Sequence, residues 1–211
     1  MNIETWSLFF VAYLVITLAP GPNVLFVVKN ALRHGYREAL FSIFGNLSCQ
    51  LLIVVLVAAG AGVLLAQSPA VFFALKIVGG CYLIYLGVSG LLAKKKTVAK
   101  SVIEQGVTKP SGFAIYKKGF LVSASNPKTV IFLSAFLPQF IVAGESVALQ
   151  FSVMFMSICF TVTTIHLLYS YLSKNIKNRL GQSRIKEHFS KVYNSAFIAF
   201  GGALLFGNRS V

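Results

Sequence analysis

Long stretches without a charged residue are the feature that most constrains this chain. Residues 5–28, 39–66 and 146–173 contain no Asp, Glu, Lys or Arg. Each stretch is long enough to cross a bilayer as a helix, which takes about 20 mostly apolar residues. Over all 211 residues, 56% are hydrophobic and 11% are charged, whereas about a quarter of a soluble domain is charged. The sequence therefore predicts an all-α integral membrane protein.

Six apolar segments are predicted to span the membrane. They are residues 5–28, 39–66, 69–93, 119–140, 146–173 and 192–207. Ser68 and Pro69 divide the second segment from the third, because Ser is a favourable N-cap and Pro a favourable first helical residue. The last segment is short for a straight span. Three spans lie in residues 1–93 and three in residues 119–211, on either side of a basic loop at 94–118. A five-span arrangement, with one segment entering the membrane without crossing it, is the alternative.

The positions of the cations predict the orientation. Sixteen of the 19 Lys and Arg residues lie in three connections, at residues 29–38, 94–118 and 174–191. Cytoplasmic loops are enriched in Lys and Arg, so these connections are predicted to be cytoplasmic and both termini to lie on the opposite side. This rule explains the net charge of +14 without a nucleic-acid partner, and membrane lipid is the expected surrounding.

Metal and enzyme chemistry have little support in the sequence. The three cysteines are single, far apart and inside apolar runs, and the chain contains no Asp. No ligand spacing, paired acids or nucleophilic triad is present, so neither a metal nor a cofactor is predicted and an enzyme is disfavoured. A role as a structural membrane subunit is not favoured either, because that role does not require lysines within the spans.

Two predicted spans are interrupted at corresponding places. Pro20-Gly21-Pro22-Asn23 lies in the first and Ser125-Asn126-Pro127-Lys128 in the fourth. Three spans precede the central loop and three follow it, so the second set must insert upside down. This predicts two inverted three-helix repeats with broken helices 1 and 4, an arrangement of many secondary transporters. Unpaired backbone groups at such breaks point to a polar cavity near the middle of the membrane, where Asn23 and Asn126 can donate and accept. Proline kinks used for packing are the alternative.

Ionisable residues within the spans point to a ligand. Lys76 and Lys128 are predicted near the membrane centre, where a lysine costs about 3 kcal/mol on insertion scales and is usually functional. All five Glu residues lie at span ends or in loops, so neither lysine has an intramembrane carboxylate to pair with. The missing anion is predicted to be a carboxylate on the substrate, although snorkelling of the lysines is the alternative. His166, a lysine or a boundary Glu remain as proton carriers, and His166 could also be only a hydrogen-bonded interior residue.

Several motifs resemble those of the LysE/RhtB family of amino-acid exporters. The segment Leu18-Ala19-Pro20-Gly21-Pro22-Asn23 and the basic turn at residues 33–37 are similar to that family's N-terminal signature. Residues 75–87, with Lys76, resemble its third-helix pattern, and residues 119–123, 126–128 and 136–140 resemble its fourth. The end of the chain matches more loosely, with Asn194-Ser195 where a glycine is usual.

This resemblance implies export of amino acids such as homoserine, threonine, leucine or lysine, in exchange for protons, across the inner membrane of a bacterium, which would make both termini periplasmic. The family motif carries substrate-binding roles onto eight residues: Pro20, Gly21, Pro22, Asn23, Lys76, Asn126, Pro127 and Lys128. Aromatic faces such as Tyr82 and Tyr85 are candidate partners for a substrate ammonium. A passive channel for small organic anions is the alternative function. Small-residue pairs such as Ala58/Gly62 permit close packing, either within one chain or in a homo-oligomer.

Overall fold

The computed structural model describes residues 1–67, 69–92, 110–142 and 144–176, with residues 194, 195, 198, 199, 201, 202, 205 and 206 near the C-terminus. The regular structure in these parts is entirely helical. The α-helices with defined bounds are α1 (Ile3–Leu18), α2 (Pro22–His34), α3 (Tyr36–Gln67), α4 (Pro69–Leu92), α5 (Gly112–Ala124), α6 (Pro127–Phe136) and α7 (Val147–Ile176). A 3-10 turn, Leu137–Phe140, extends α6.

The helices fit a membrane protein with several spans. Among the described residues, two helical stretches are long and apolar enough to cross a bilayer, Tyr36–Gly60 and Val147–Ser173. Two bent pairs of helices raise the number to four when each pair counts as one span. In α4 the apolar stretch Ile77–Ser89 is shorter than a full span. Most of the predicted sixth span lies outside the described residues. Six spans in two inverted repeats therefore remain a prediction.

The two predicted helix breaks are confirmed. α1 and α2 meet at an angle of 60°, and α5 and the helix Pro127–Phe140 meet at 61°. At both breaks, the second helix begins with a proline in its first turn, where a missing N–H leaves no hydrogen bond unmade. At both breaks, an extended residue directly precedes that proline.

The fourth predicted span begins earlier than hydropathy indicated. α5 starts at Gly112 and not at Gly119, so residues 112–118 of the predicted basic loop are helical. The Ser111 side chain caps this helix by accepting a hydrogen bond from the Ala114 N–H at 3.2 Å. Hydropathy placed the boundary at the two lysines Lys117 and Lys118, but an exposed lysine is a good helix former and does not end a helix.

Glycines bring α3 and α5 into backbone contact. A Cβ placed on Gly119 would lie 2.7 Å from the Ser42 carbonyl oxygen, and one on Gly45 would overlap the Tyr116 carbonyl oxygen. No side chain larger than hydrogen fits at either position without moving a backbone. This contact positions the polar face of α3 beside the end of α5, where the second break lies.

Aromatic side chains fill the core between α1 and the end of α6. Phe9, Phe136 and Phe140 are at most 6% exposed, and their ring centroids lie 4.5–5.9 Å apart. Tyr13 and Phe132 continue the stack toward the breaks, with centroids 6.2 Å apart. The amino-terminal ammonium of Met1 forms an ion pair with the Glu145 carboxylate. This contact places the start of α1 at the same end of the bundle as the connection before α7.

Candidate functional site

The first break exposes the carbonyl end of α1. Ala19 has an extended backbone and Gly21 serves as the N-cap of α2 without a side-chain hydrogen bond. The proline at position 22 starts α2, and the proline at position 20 cannot donate a hydrogen bond back to α1. Apart from the Ile16 oxygen, which accepts from the Ala19 N–H at 3.2 Å, the last carbonyl oxygens of α1 are left to partners outside their own helix.

The second break is closed by an asparagine. The Asn126 side chain accepts a hydrogen bond from the backbone N–H of Lys128 at 3.1 Å and so caps α6. Pro127 occupies the first helical position. The cap fixes where α6 begins and brings residue 128 toward the first break.

Paired asparagines join the two breaks. The Asn126 Nδ2 donates to Asn23 Oδ1 at 3.2 Å, and the Asn23 Nδ2 donates to the hydroxyls of Ser123 and Thr129 at 3.3 and 3.2 Å. Both asparagines are buried. The sequence interpretation selected these two amides separately, and the tertiary structure places them in direct contact across more than 100 residues of chain.

The Lys128 ammonium occupies the carbonyl end of α1. Its Nζ donates to the carbonyl oxygens of Ile16 at 2.8 Å and Ala19 at 2.9 Å. The carbonyl of Leu18 accepts from the Tyr169 hydroxyl at 2.7 Å. A cation near the C-terminal end of a helix also interacts favourably with the helix dipole. Lys128 was predicted to lack an intramembrane carboxylate partner, and in this structure backbone carbonyls take that place.

A cavity of about 50 Å³ lies where the breaks meet, against α3 and α7. It has room for a few water molecules, since one water needs roughly 10–15 Å³ by this measure. Five of the predicted site residues line it: Gly21, Asn23, Asn126, Lys128 and His166. The other lining residues are Tyr13, Ile16, Thr17, Ala19, Val24, Gln50, Thr129, Phe132, Leu133 and Val162.

The remaining predicted residues have different positions. The prolines at 20, 22 and 127 shape the breaks and do not line the cavity. Lys76 lies in α4, but its side chain is outside the described part of the structure. Tyr82 and Tyr85, considered for a substrate ammonium, are not among the lining residues, and Tyr85 is 65% exposed.

Sequence reasoning missed the contribution of α1 and α3 to the cavity. The Tyr13 hydroxyl donates to Gln50 Oε1 at 3.0 Å, and both side chains are buried. Gln50 is a buried polar residue in the charge-free stretch 39–66, which was the available signal. Ser42, Asn46 and Gln50 recur every fourth residue along α3 and are all at most 3% exposed. A polar stripe at helical spacing inside an apolar span points to a face turned away from lipid.

His166 lies at the cavity from α7. It is 3% exposed, and its Nδ1 has no hydrogen-bond partner among the described residues. An unpaired buried ring nitrogen is unusual, because most buried polar atoms are hydrogen-bonded. Water in the cavity or a bound solute could supply the missing partner.

The cavity brings together helix ends of opposite partial charge. Its lining includes a lysine and the N-terminal ends of α2 and α6, which carry partial positive charge, and the C-terminal end of α1, which carries partial negative charge. None of the described lining residues is Asp or Glu. The described residues also contain no group of three His, Cys, Asp or Glu side chains able to hold a metal ion. This arrangement suits an organic anion or zwitterion better than a metal cation.

Comparison with known proteins assigns the family. The sequence profile described as LysE type translocator matches residues 14–208, which include both breaks and all the cavity residues except Tyr13. The chain belongs to the LysE type translocator family. It is accordingly a multi-pass membrane transport protein and not an enzyme, and the motif resemblance noted in the sequence is confirmed.

Two of three relatives of this LysE-type translocator match nearly its whole length, and the third matches about two thirds of it. A homoserine/homoserine lactone efflux protein of Salmonella typhimurium is 26% identical over 204 residues, 97% of each chain. An uncharacterized membrane protein of Vibrio cholerae is 28% identical over 204 residues, 95% of this chain and 96% of the relative. A leucine efflux protein of Salmonella choleraesuis is 32% identical over 139 residues, 66% of this chain and 64% of the relative. No solved structure matches the chain at a significant level.

Proposed function

We propose that this chain exports amino acids, or related small carboxylates, across the bacterial inner membrane in exchange for protons. One observation carries the proposal: the Lys128 ammonium is partly buried at a cavity between two helix breaks, and no described lining residue is a carboxylate. A substrate carboxylate would place an anion beside this ammonium. The efflux relatives, named for homoserine and leucine, support an amino acid as that substrate.

The substrate would bind where the two breaks meet. The N-terminal ends of α2 and α6 and the amides of Asn23 and Asn126 would orient its carboxylate beside the Lys128 ammonium. Gly21 permits close approach, and the prolines at 20, 22 and 127 keep backbone groups of the breaks available to a ligand. We include Lys76 of α4 in the site as a second cation, on the strength of its predicted depth in the membrane.

His166 is the proposed proton carrier. Imidazole is the side chain that ordinarily titrates near neutral pH, and this one borders the cavity. A proton on His166 would add a positive charge close to the ammonium of a bound amino acid. Proton and substrate would therefore repel each other and bind alternately, which is the requirement for exchange.

The architecture proposed for this transport is six spans in two inverted repeats, with both termini in the periplasm. The matching bends of 60° and 61° support a repeat. Contacts of the C-terminal segment support a last helix antiparallel to α4: a Cβ on Gly80 would lie 2.6 Å from Leu205, and one on Gly87 would lie 2.6 Å from Ile198. The predicted cytoplasmic side rests on the distribution of cations.

Counterflow in proteoliposomes tests this function. Liposomes containing the purified protein are loaded with unlabelled L-leucine or L-homoserine and diluted into a trace of the labelled compound. A carrier gives a transient accumulation of label, whereas a channel gives only equilibration. An inside-acid or inside-alkaline gradient should change the rate if protons are exchanged. Protein-free liposomes serve as the control, and absence of counterflow with every amino acid in a panel that includes threonine and lysine would overturn the proposal.

A further inference from the structure

The carbonyl end of α1 already behaves as a cation site in this structure. Two of its oxygens, from Ile16 and Ala19, lie 2.8 and 2.9 Å from the Lys128 ammonium. The oxygen of Leu18 is satisfied separately by the hydroxyl of Tyr169. Lysine therefore provides a cation for both carbonyls, of which the Ile16 oxygen also accepts from the Ala19 N–H at 3.2 Å.

The cavity has room only for a few water molecules while Lys128 holds this position. Its volume is about 50 Å³, and one water needs roughly 10–15 Å³ by this measure. Lys128 borders the cavity, and its long flexible stem is the part of the lining that can move most easily. Entry of an amino acid therefore requires this ammonium to leave the carbonyls or the helices to separate.

We infer that the carbonyl oxygens of Ile16 and Ala19 form the subsite for the substrate ammonium, and that Lys128 occupies this subsite when no substrate is bound. When an amino acid enters, its carboxylate pairs with the displaced Lys128 and its ammonium takes the two carbonyls. This inference rests on the proposed function and adds a substrate requirement: a free ammonium and a free carboxylate on the same molecule.

The surroundings favour the carbonyls over other partners for that ammonium. None of the described lining residues is acidic, and Tyr82 and Tyr85 do not line the cavity. The C-terminal end of α1 carries the partial negative charge of its helix, and the pair of oxygens already has the geometry to hold an alkyl ammonium. An incoming ammonium would thus replace one cation by another of the same kind.

Chemical rescue tests the subsite without measuring transport. Lys128→Ala removes the atoms of an n-propylammonium ion, so added n-propylammonium should refill the carbonyl site of the variant in lipid nanodiscs. We expect millimolar n-propylammonium to raise the Tm of Lys128→Ala by about 2–4 °C. The unsubstituted protein and Lys117→Ala should not respond, because the first keeps its own lysine and Lys117 lies over the Phe113 ring on α5. n-Propanol, which lacks the charge, is the ligand control. A response of Lys128→Ala no larger than that of the controls would overturn the inference.

Substrate analogues provide a second test that needs no variant. Counterflow of labelled L-leucine or L-homoserine, whichever is transported, is measured against the N-acetyl derivative, the amide and the parent amino acid. We expect each singly modified compound to compete at least about tenfold less well, because each lacks one of the two charges. Equal competition by the N-acetyl derivative would contradict the ammonium subsite but not the proposal of amino-acid export. If no amino acid gave counterflow, the proposed function itself would be contradicted. The rescue experiment would still test the carbonyl site, because it does not depend on transport.

Discussion

Replacement of Lys128 by methionine separates a substrate-binding lysine from one that only fills space. Methionine keeps most of the side-chain length and removes the ammonium. It therefore also removes both hydrogen bonds to the end of α1. The Ile16 oxygen keeps a second donor, the N–H of Ala19 at 3.2 Å, so one of the two carbonyls retains a partner in the variant.

The stability change can be estimated from these contacts. Hydrogen bonds to a charged group contribute about 1.5–3 kcal/mol each, so the two lost bonds amount to about 3–6 kcal/mol. Removal of a lysine from the membrane interior returns about 3 kcal/mol on insertion scales. The net destabilisation is then about 0–3 kcal/mol. The sequence alone predicted only that Lys128 has no intramembrane carboxylate to pair with, so the cost of losing two carbonyl hydrogen bonds comes from the structure.

Two measurements on the same preparation check this prediction. Thermal unfolding in nanodiscs should show a Tm decrease of less than about 12 °C, and counterflow of labelled amino acid should fall at least about tenfold. Lys117→Met is the matched control, since it removes an exposed lysine of α5 that does not line the cavity. Lys128→Arg keeps the charge and should retain more transport than the methionine variant. A Lys128→Met protein that is more stable than the parent and transports at the parent rate would refute the reasoning. That result would favour the alternative in which the Lys128 side chain only snorkels toward the membrane surface.

Three further predictions address coupling, packing and orientation. His166→Gln should flatten the pH profile of transport while substrate binding persists, because glutamine is polar but does not titrate. An unchanged profile would exclude this histidine as the proton carrier. Gly45→Ala should destabilise the fold by about 1–3 kcal/mol or more, because the added carbon overlaps the Tyr116 carbonyl of α5. Gly60→Ala is the control, because the space around its new carbon is open. Unaltered thermal unfolding of Gly45→Ala would contradict the close contact. In a background without cysteines, a cysteine at position 68 should react with an impermeant thiol reagent in intact cells and one at position 95 should not; the reverse pattern would invert the topology.

Much of the fold could be predicted because hydropathy and helix-breaking residues act locally. The charge-free stretches marked α3 and α7, and the paired proline motifs marked both breaks. The start of α5 was misplaced by seven residues, because a window of hydropathy records polarity and not the hydrogen bond from Ala114 to the Ser111 side chain that begins the helix. Helix ends depend on caps that such a window does not represent.

The sequence by itself determined that this chain is a helical membrane protein with two broken helices, and that Asn23, Asn126 and Lys128 lie at the breaks. It could do so because each of those features depends only on neighbouring residues. Which partners these side chains meet was decided by the tertiary structure. The pairing of Asn23 with Asn126, the contact of Lys128 with the end of α1 and the presence of Gln50 at the cavity all join positions distant in sequence. Such pairings follow from how the helices pack, and the glycines at 45 and 119 permit the close contact that fixes part of that packing.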